Sequence, residues 1–322
     1  MFARTLPTHL LSLSLILLAN EGMAAHCVYL NSYHSGYEWG DRIQQQFEKD
    51  MNQQCRITTY YLDAKKNGAE QLAQKGKELA NLIAIAKPDV VIAADDAASE
   101  FVVKPYLRNS RTPVVFVGIN WDPKPYGYPM DNATGMTEVW PVQEVFRILR
   151  HTVTPLNEVD IITSENALER IDSGYIEKVA KGLGINIKHR YVKTFDEWKQ
   201  AIVAAQSADA IHLGTNQSIR NWNEAEAIDW LVKHNQRFTF ASQEFMLPYA
   251  MFSLSKSPEE FGSWAAKLSQ TLLSGVQPWQ IPVIPNQRFT PHINTQLLSL
   301  TPYQLPAHIK RNAILFEGNA NP

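Results

Sequence analysis

Side chains able to hold a small molecule follow the first predicted strand of the chain. Residues 28–30 favour a β-strand, and Asn31, Ser32, Tyr33 and Tyr37 come directly after it. Amide and hydroxyl groups give directional hydrogen bonds, and aromatic rings give a stacking surface. This combination is typical of a site that binds a small polar molecule. An aromatic ring in a loop also often covers the edge of a core, which is the alternative role for Tyr37.

Polar side chains follow the later predicted strands as well. Because loops at the carboxyl ends of parallel strands border one crevice, we expect these side chains to face a shared ligand. They are Asp95, Asp96, Asn120 and Trp121 in the first half, and Glu138, Ser164, Asn216, Gln243 and Glu244 in the second. Several have a structural alternative. Asp95 and Asp96 suit the cap and first turn of a helix, Ser164 suits a cap, and Trp121 suits the edge of a core.

Four of these residues are acidic, and few clear cations accompany them. They are Asp95, Asp96, Glu138 and Glu244. A buried carboxylate needs a partner of opposite charge, and the ammonium group of a ligand is one such partner. We therefore predict a small amine-bearing ligand, such as an amino acid or an oligoamine, with aromatic rings supplying cation–π contacts.

Motifs of common catalytic and cofactor sites are missing from the sequence. It contains no GxSxG, GxxxxGK[ST] or HExxH, and no GxGxxG follows the first strand. Neither His34 nor the two cysteines have the spacing of a zinc site. The net charge of −2, without long runs of Lys or Arg, argues against nucleic-acid binding. We expect a binding protein with no enzymatic activity, cofactor or metal; acid/base catalysis by a pair such as Asp95 and Glu244 is the alternative.

The fold predicted from the alternation of strands and helices is α/β, with doubly wound parallel sheets. The segment 122–132 is rich in Pro, Gly, Asn and Asp and interrupts the alternation. Two lobes on either side of it imply a cleft between them. We place the N-terminal lobe at residues 26–121 plus 246–285 and the C-terminal lobe at 122–245 plus 286–322. The chain then crosses three times and forms a multi-strand hinge.

The first 25 residues have the pattern of a secretory signal peptide. Their apolar run, residues 10–18, is too short to span a membrane and ends in small residues near Ala24 and Ala25. Retention of this segment as an anchor is the alternative. In an exported protein the two cysteines, Cys27 and Cys55, favour a disulfide, since each opens one of two neighbouring strands. Two free thiols are the other possibility.

Several segments, taken in order, resemble one protein family. They are PVVFVG at 113–118, NATGM at 132–136, GVQP at 275–278 and INT at 293–295. Residues 27–305 are similar to the periplasmic substrate-binding proteins of ABC importers with the type I fold, in the subgroup described as uncharacterised ABC substrate-binding proteins. This resemblance implies a monomeric periplasmic protein that delivers a small ligand to a membrane permease. The loop at 31–39 also resembles sensory relatives, which implies a membrane histidine kinase or diguanylate cyclase as the alternative partner.

Overall fold

A computed structural model describes residues 24–317 of the 322-residue chain. The predicted signal peptide, residues 1–25, lies outside the described residues except for Ala24 and Ala25. Within residues 24–317, no helix combines the length and the apolar character needed to cross a membrane.

Strands and helices alternate along most of the described chain. The strands are β1 (Ala25–Asn31), β2 (Cys55–Tyr61), β3 (Val90–Ala94), β4 (Val114–Asn120), β5 (Ala133–Glu138), β6 (Glu158–Ser164), β7 (Asn186–Val192), β8 (Ala210–Leu213), β9 (Phe238–Ala241), β10 (Phe252–Lys256), β11 (Ile284–Pro285), β12 (Phe289–Asn294) and β13 (Ile314–Phe316). The α-helices are α1 (Glu38–Met51), α2 (Ala69–Ala86), α3 (Asp96–Ala98), α4 (Val142–Thr152), α5 (Ala167–Gly182), α6 (Phe195–Ala204), α7 (Glu224–His234), α8 (Pro258–Leu273), α9 (Thr295–Ser299) and α10 (Ala307–Asn312). The short helix α3 continues directly as a π-helix, Ser99–Leu107.

The N-terminal lobe is built on sheet A, whose strands run parallel in the order β11-β5-β4-β3-β1-β2. Apolar side chains cover both of its faces. Leu72 and Leu79 of α2 pack on one face, and Phe47 of α1 and Phe261 of α8 pack on the other. A parallel sheet needs this double cover because its strands are apolar on both sides.

The C-terminal lobe is built on sheet B, in the order β13-β12-β10-β9-β8-β6-β7. Its pairs are parallel except for β10 with β12. Phe146 of α4 and Ile176 of α5 belong to one of its hydrophobic clusters, and Trp198 of α6 and Leu231 of α7 belong to the other. The prediction of two doubly wound, mainly parallel lobes is confirmed.

The chain crosses between the sheets three times. Two of these crossings lie at positions other than those that the sequence predicts. The sequence predicts a first crossing after residue 121, but β5 pairs with β4, so sheet A continues to Glu138. The intervening segment folds back because Tyr128 stacks on Phe116, with 4.0 Å between the ring centroids. The second crossing, predicted at residue 246, comes after Lys256, since β10 pairs with β9 in sheet B. The third crossing, predicted after residue 285, lies between Pro285 at the end of β11 and Phe289 at the start of β12.

A disulfide joins the first two strands, as predicted. Cys27 and Cys55 are bonded across 28 residues of sequence, with 5.9 Å between their Cα atoms. Strands β1 and β2 are neighbours in sheet A, and their pairing begins at Ala25 and Cys55. The bond therefore ties the edge strand β2 to the interior of the lobe.

Candidate functional site

A cleft lies between the two sheets, where strands of both lobes end. It is lined by Asn120, Trp121, Glu138, Trp140, Ile161, Glu169, Asp172, Ser173, Ile176, His212, Thr215, Ser242, Gln243 and Lys256. The space that these residues enclose measures about 20 Å³, which holds about one water molecule. The two lobes are therefore closed on each other, and a larger ligand needs them to part.

The floor of the cleft is a buried ion pair between Glu138 and Lys256. Glu138 ends β5 and Lys256 ends β10, so each lies where the chain crosses between sheets. The Lys256 ammonium donates to Glu138 Oε1, and both side chains are almost fully buried. Burial alone lowers the pKa of Lys256, but the adjacent Glu138 carboxylate raises it above its ordinary value. Burial raises the pKa of Glu138, and Lys256 opposes this shift.

Hydrogen bonds tie the three crossings into one hinge. The side-chain Oδ1 of Asn286 accepts from the Val139 N–H at 2.7 Å, and the Asn286 N–H donates to the Thr137 carbonyl at 3.0 Å. These bonds join the first and third crossings. Trp140 Nε1 donates to the Leu254 carbonyl at 2.9 Å, which joins the first crossing to the second. The crossings therefore hold one another in position beneath the cleft.

Asp95 and Asp96 support the wall of the cleft on the N-terminal lobe, but neither lines the enclosed space. Asp95 caps α3 by accepting from the Asp96 N–H at 2.8 Å, and it also accepts from the Tyr33 hydroxyl at 2.8 Å. Its φ of 74° lies in a region that L side chains rarely adopt. Asp96 accepts from Asn120 Nδ2 at 2.9 Å. Burial, followed by the charges of Asp96 and Glu138, raises the pKa of Asp95 well above its ordinary value.

Asn31 and Ser32, predicted to face the ligand, form hydrogen bonds within the lobe. Asn31 Nδ2 donates to Gln44 on α1 at 3.4 Å, and its Oδ1 accepts from the N–H two residues later at 3.0 Å. Ser32 Oγ donates to the Ala94 carbonyl at 2.6 Å and accepts from the Ala98 N–H at 2.8 Å. Both side chains are buried and hold the loop and the adjoining helix in place.

Tyr33 and Tyr37 lie beside the N-terminal wall. Their ring centroids are 4.3 Å apart, and the Lys65 ammonium lies 5.1 Å from the Tyr33 centroid. Tyr33 also holds Asp95 through its hydroxyl. Neither ring lines the enclosed space, so the two tyrosines support the wall from its side.

The wall on the C-terminal lobe carries Glu169 and Asp172, both on α5. Glu169 accepts from the Thr163 hydroxyl, and burial raises the pKa of Glu169 to about 7. Asp172 accepts from Trp121 Nε1 at 2.7 Å, and burial raises its pKa as well. The Trp121 ring stacks on Tyr175 with 4.5 Å between centroids. The end of β4 is thus attached to a helix of the other lobe.

A buried histidine, His212, lines the same space. It is 3% exposed and stacks on Trp140, with 5.0 Å between centroids. Neither ring nitrogen has a hydrogen-bond partner among the described residues. Burial lowers the pKa of His212 to about 3, so its ring is neutral at physiological pH. A neutral imidazole offers one donor and one acceptor.

Three further predicted residues lie on the C-terminal lobe. Ser164 is buried and accepts from Asn166 Nδ2 at 3.0 Å, so its hydroxyl has a partner within the lobe. Asn216 is half-buried and follows Thr215, which lines the cleft. Gln243 lines the cleft itself.

Glu244 lies at the rim, outside the enclosed space. Its carboxylate is 3.5 Å from Arg42 Nη1, and its side chain is 52% exposed. Arg42 belongs to α1 and also pairs with Glu259 at 2.8 Å. The rim contact therefore joins the two lobes on the solvent side.

Of the predicted residues, Asn120, Trp121, Glu138 and Gln243 line the cleft, but four ionisable residues there do not follow from the strand-end pattern. They are Glu169, Asp172, His212 and Lys256. The spacing of three between Glu169 and Asp172 puts both on one helix face. Asn166, which caps α5 and precedes Glu169 by three residues, is the signal that marks where this helix begins. Within residues 24–317, no group of three or more His, Cys, Asp and Glu side chains is arranged to hold a metal ion.

Comparison with known proteins gives structural matches only. No protein-family model matches the sequence, and no curated protein matches it. A domain from Streptococcus pneumonia in complex with L-Trp is 17% identical with a TM-score of 0.63, over 91% of this chain and 99% of that one. A ligand-free, open substrate-binding protein with adhesive properties from Clostridium difficile is 12% identical with a TM-score of 0.74, over 92% and 100%. A periplasmic ribose ABC transporter protein from Conexibacter woesei is 15% identical with a TM-score of 0.57, over 85% and 94%. The chain therefore has the type I fold of periplasmic substrate-binding proteins.

Proposed function

We propose that this protein is a periplasmic solute-binding protein that captures a small amine-bearing ligand between its lobes. The observation that carries the proposal is the charge of the cleft. Glu169 and Asp172 line the cleft and Asp96 adjoins it, and within residues 24–317 these three carboxyl groups have neutral hydrogen-bond donors only. Lys256, which also lines the cleft, is paired with Glu138. A ligand ammonium supplies the positive charge that these carboxyl groups lack.

Aromatic rings favour the same class of ligand. Trp121 and Trp140 line the cleft, and the face of an aromatic ring attracts a cation. Their rings also provide an apolar surface for the carbon skeleton of an amine. An amino acid or an oligoamine has both of these parts.

Lobe movement links binding to a signal that another protein can detect. The enclosed space is too small for such a ligand, so the lobes must part at the hinge to admit it and close again around it. A ligand that contacts both walls stabilises the closed form in proportion to those contacts. A membrane permease that recognises the closed form would then receive the ligand, as in the ABC systems to which the matched proteins belong.

Calorimetry on the secreted protein, stripped of ligand by denaturation and refolding, tests the ligand class. We expect heat of binding from amines and none from sugars or dicarboxylates of similar size. Binding of sugars or dicarboxylates alone would overturn the amine proposal. Native mass spectrometry of the protein as purified from the periplasm would identify the ligand that the protein retains. It would also test whether the protein is located in the periplasm.

The membrane partner is tested separately. We expect uptake of the ligand to be lost when the gene for this protein is deleted, and to depend on an ABC permease and its ATPase. Uptake that continues unchanged, together with loss of a histidine kinase or diguanylate cyclase response, would instead identify a sensory role. Both outcomes leave the ligand class as a separate question.

A further inference from the structure

Both walls of the cleft carry a pair of carboxyl groups that lack a cation. Asp95 and Asp96 form the pair on the N-terminal lobe, and Glu169 and Asp172 form the pair on the C-terminal lobe. Among residues 24–317, no Lys, Arg or His lies within ion-pair distance of any of the four. Their hydrogen-bond donors are hydroxyl, amide, indole and backbone N–H groups, all of them neutral.

The two pairs lie on opposite lobes. Glu169 and Asp172 line the enclosed space, and Asp95 and Asp96 adjoin it at Asn120. Asp96 is bonded to the side chain of Asn120 at 2.9 Å, and the next residue, Trp121, is bonded to Asp172 at 2.7 Å. The charge of Asp96 contributes to raising the pKa of Asp172, after the larger effect of burial. The Lys256 ammonium is bonded to Glu138 on the floor, and its charge partly opposes the raised pKa values of Glu169 and Asp172 without forming an ion pair with either.

The unpartnered ring of His212 points independently to a ligand at this place. It is 3% exposed, it lines the enclosed space, and neither nitrogen is hydrogen-bonded within the described chain. A buried polar group without a partner is costly, and such groups in native proteins usually have one. The neutral imidazole has an acceptor nitrogen that an ammonium group can satisfy.

We propose that the ligand carries two ammonium groups, one held by the carboxyl pair of each wall, and therefore belongs to the class of short aliphatic diamines. This inference rests on the proposed function and narrows its ligand class. A single ammonium provides a cation to one wall and leaves the carboxyl pair of the other wall without one when the lobes close. Two ammonium groups on one carbon chain neutralise both walls, so the ligand itself holds the closed form together.

Pairs of ligands that differ in one ammonium group test whether binding depends on a second positive charge. The probes are 1,3-diaminopropane, 1,4-diaminobutane and 1,5-diaminopentane, each compared with the amino alcohol of the same length by calorimetry at neutral pH. In the amino alcohol a hydroxyl replaces one ammonium, so size and chain length are kept. We expect at least one diamine to bind about ten- to hundredfold more tightly than its amino alcohol, the range that one charge-assisted hydrogen bond supports.

Variants of the wall residues test whether the two carboxyl pairs cause the tighter binding of the diamine. In Asp96→Asn and in Asp172→Asn, the advantage of the diamine over the amino alcohol is expected to shrink at least threefold. Asp131→Asn and Asp229→Asn change exposed aspartates, one on each lobe, and should leave the advantage unchanged. Thermal unfolding confirms that each variant is folded, since each substitution keeps the shape of the side chain.

The possible failures are distinguishable. Equal affinity for diamines and amino alcohols, or an undiminished advantage in both wall variants, overturns the two-charge inference and leaves an amine-binding protein. Absence of binding by every amine, with binding of an uncharged or anionic probe, overturns the proposed function and this inference together.

Discussion

The floor and the walls of the cleft treat buried charge in opposite ways. On the floor, Glu138 and Lys256 neutralise each other where the chain crosses between the lobes. On the walls, Asp95, Glu169 and Asp172 have neutral donors and raised pKa values. A neutralised pair can position the backbone without a ligand, whereas an unneutralised wall is left for a ligand to complete. The floor is thus suited to the hinge, and the walls are suited to binding.

The largest expected effect comes from breaking the floor. Lys256→Met leaves the Glu138 carboxylate buried without a cation, and removal of one partner of a buried pair costs about 3–5 kcal/mol of unfolding free energy. Urea unfolding measures the loss. The double variant Glu138→Gln/Lys256→Met removes both charges and should recover most of it. A single variant as stable as the parent would mean that the floor pair does not hold the crossings.

On the walls, the expected effect is a dependence of the unfolding free energy on pH, because their carboxyl groups have no charged partner to lose within the described part of the chain. Burial raises the pKa of Glu169 from its usual 4.5 to about 7, so the folded protein holds this proton more tightly than the unfolded chain. Stability therefore falls as the pH rises from about 4.5 to 7, by about 3 kcal/mol in total. Glu169→Gln should remove this loss, giving higher stability than the parent at pH 8 and little change at pH 4.

Urea unfolding of Glu169→Gln at pH 4 and pH 8 checks this expectation. Glu70→Gln is the matched control, because Glu70 also lies in the first turn of a helix but is exposed. Equal pH dependence in the parent and Glu169→Gln would show that this wall carries no suppressed charge.

A smaller effect is expected from the contact that joins the walls. Trp121→Phe removes the indole N–H that donates a hydrogen bond to Asp172. This destabilises the closed form relative to the open form by about 1–3 kcal/mol. Small-angle X-ray scattering should show a larger radius of gyration as the open population grows. Trp264→Phe is the control, since the Trp264 N–H has no partner among the described residues. An unchanged scattering profile would mean that lobe closure does not depend on this contact.

The smallest effect is expected at the rim. Glu244→Gln removes an exposed partner of Arg42, which keeps its ion pair with Glu259. Exposed ion pairs contribute about 0–1 kcal/mol, and salt screens them. Unfolding at low and high salt measures this contribution. A loss as large as that of Lys256→Met would contradict the distinction between floor and rim.

Periodicity and turn residues were sufficient to predict most of the fold. Apolar spacing and flanking residues predict helices over 69–86 and 258–273 and a strand over 90–94, and α2, α8 and β3 have these bounds. The sequence does not predict strand β5, because its residues, ATGMTE, lack a run of β-branched side chains. Gly135 interrupts it, and a Cβ there would lie 1.9 Å from the Phe116 carbonyl oxygen. That requirement is a tertiary contact, which single-sequence reasoning cannot detect.

The site was less predictable than the fold for a related reason. The type of a residue indicates which hydrogen bonds its side chain can form, but not which partner forms them in the folded protein. Ser32 and Asn31 have suitable chemistry, yet the backbone of Ala98 and the side chain of Gln44 occupy them. The sequence predicts a strand over 250–254, which stops short of Lys256. The position of Lys256 on the cleft floor therefore follows only from the pairing of β10 within sheet B.

The stacking of Trp121 on Tyr175 has a spectroscopic consequence. The indole belongs to one lobe and rests on the other, so its surroundings become more aqueous whenever the lobes separate. The emission of an indole shifts to longer wavelength as water replaces protein around it. Subtracting the emission spectrum of Trp121→Phe from that of the parent isolates the emission of Trp121 from that of the other tryptophans, since the chain has eight in all. The protein therefore contains its own fluorescent reporter of opening, with no attached dye.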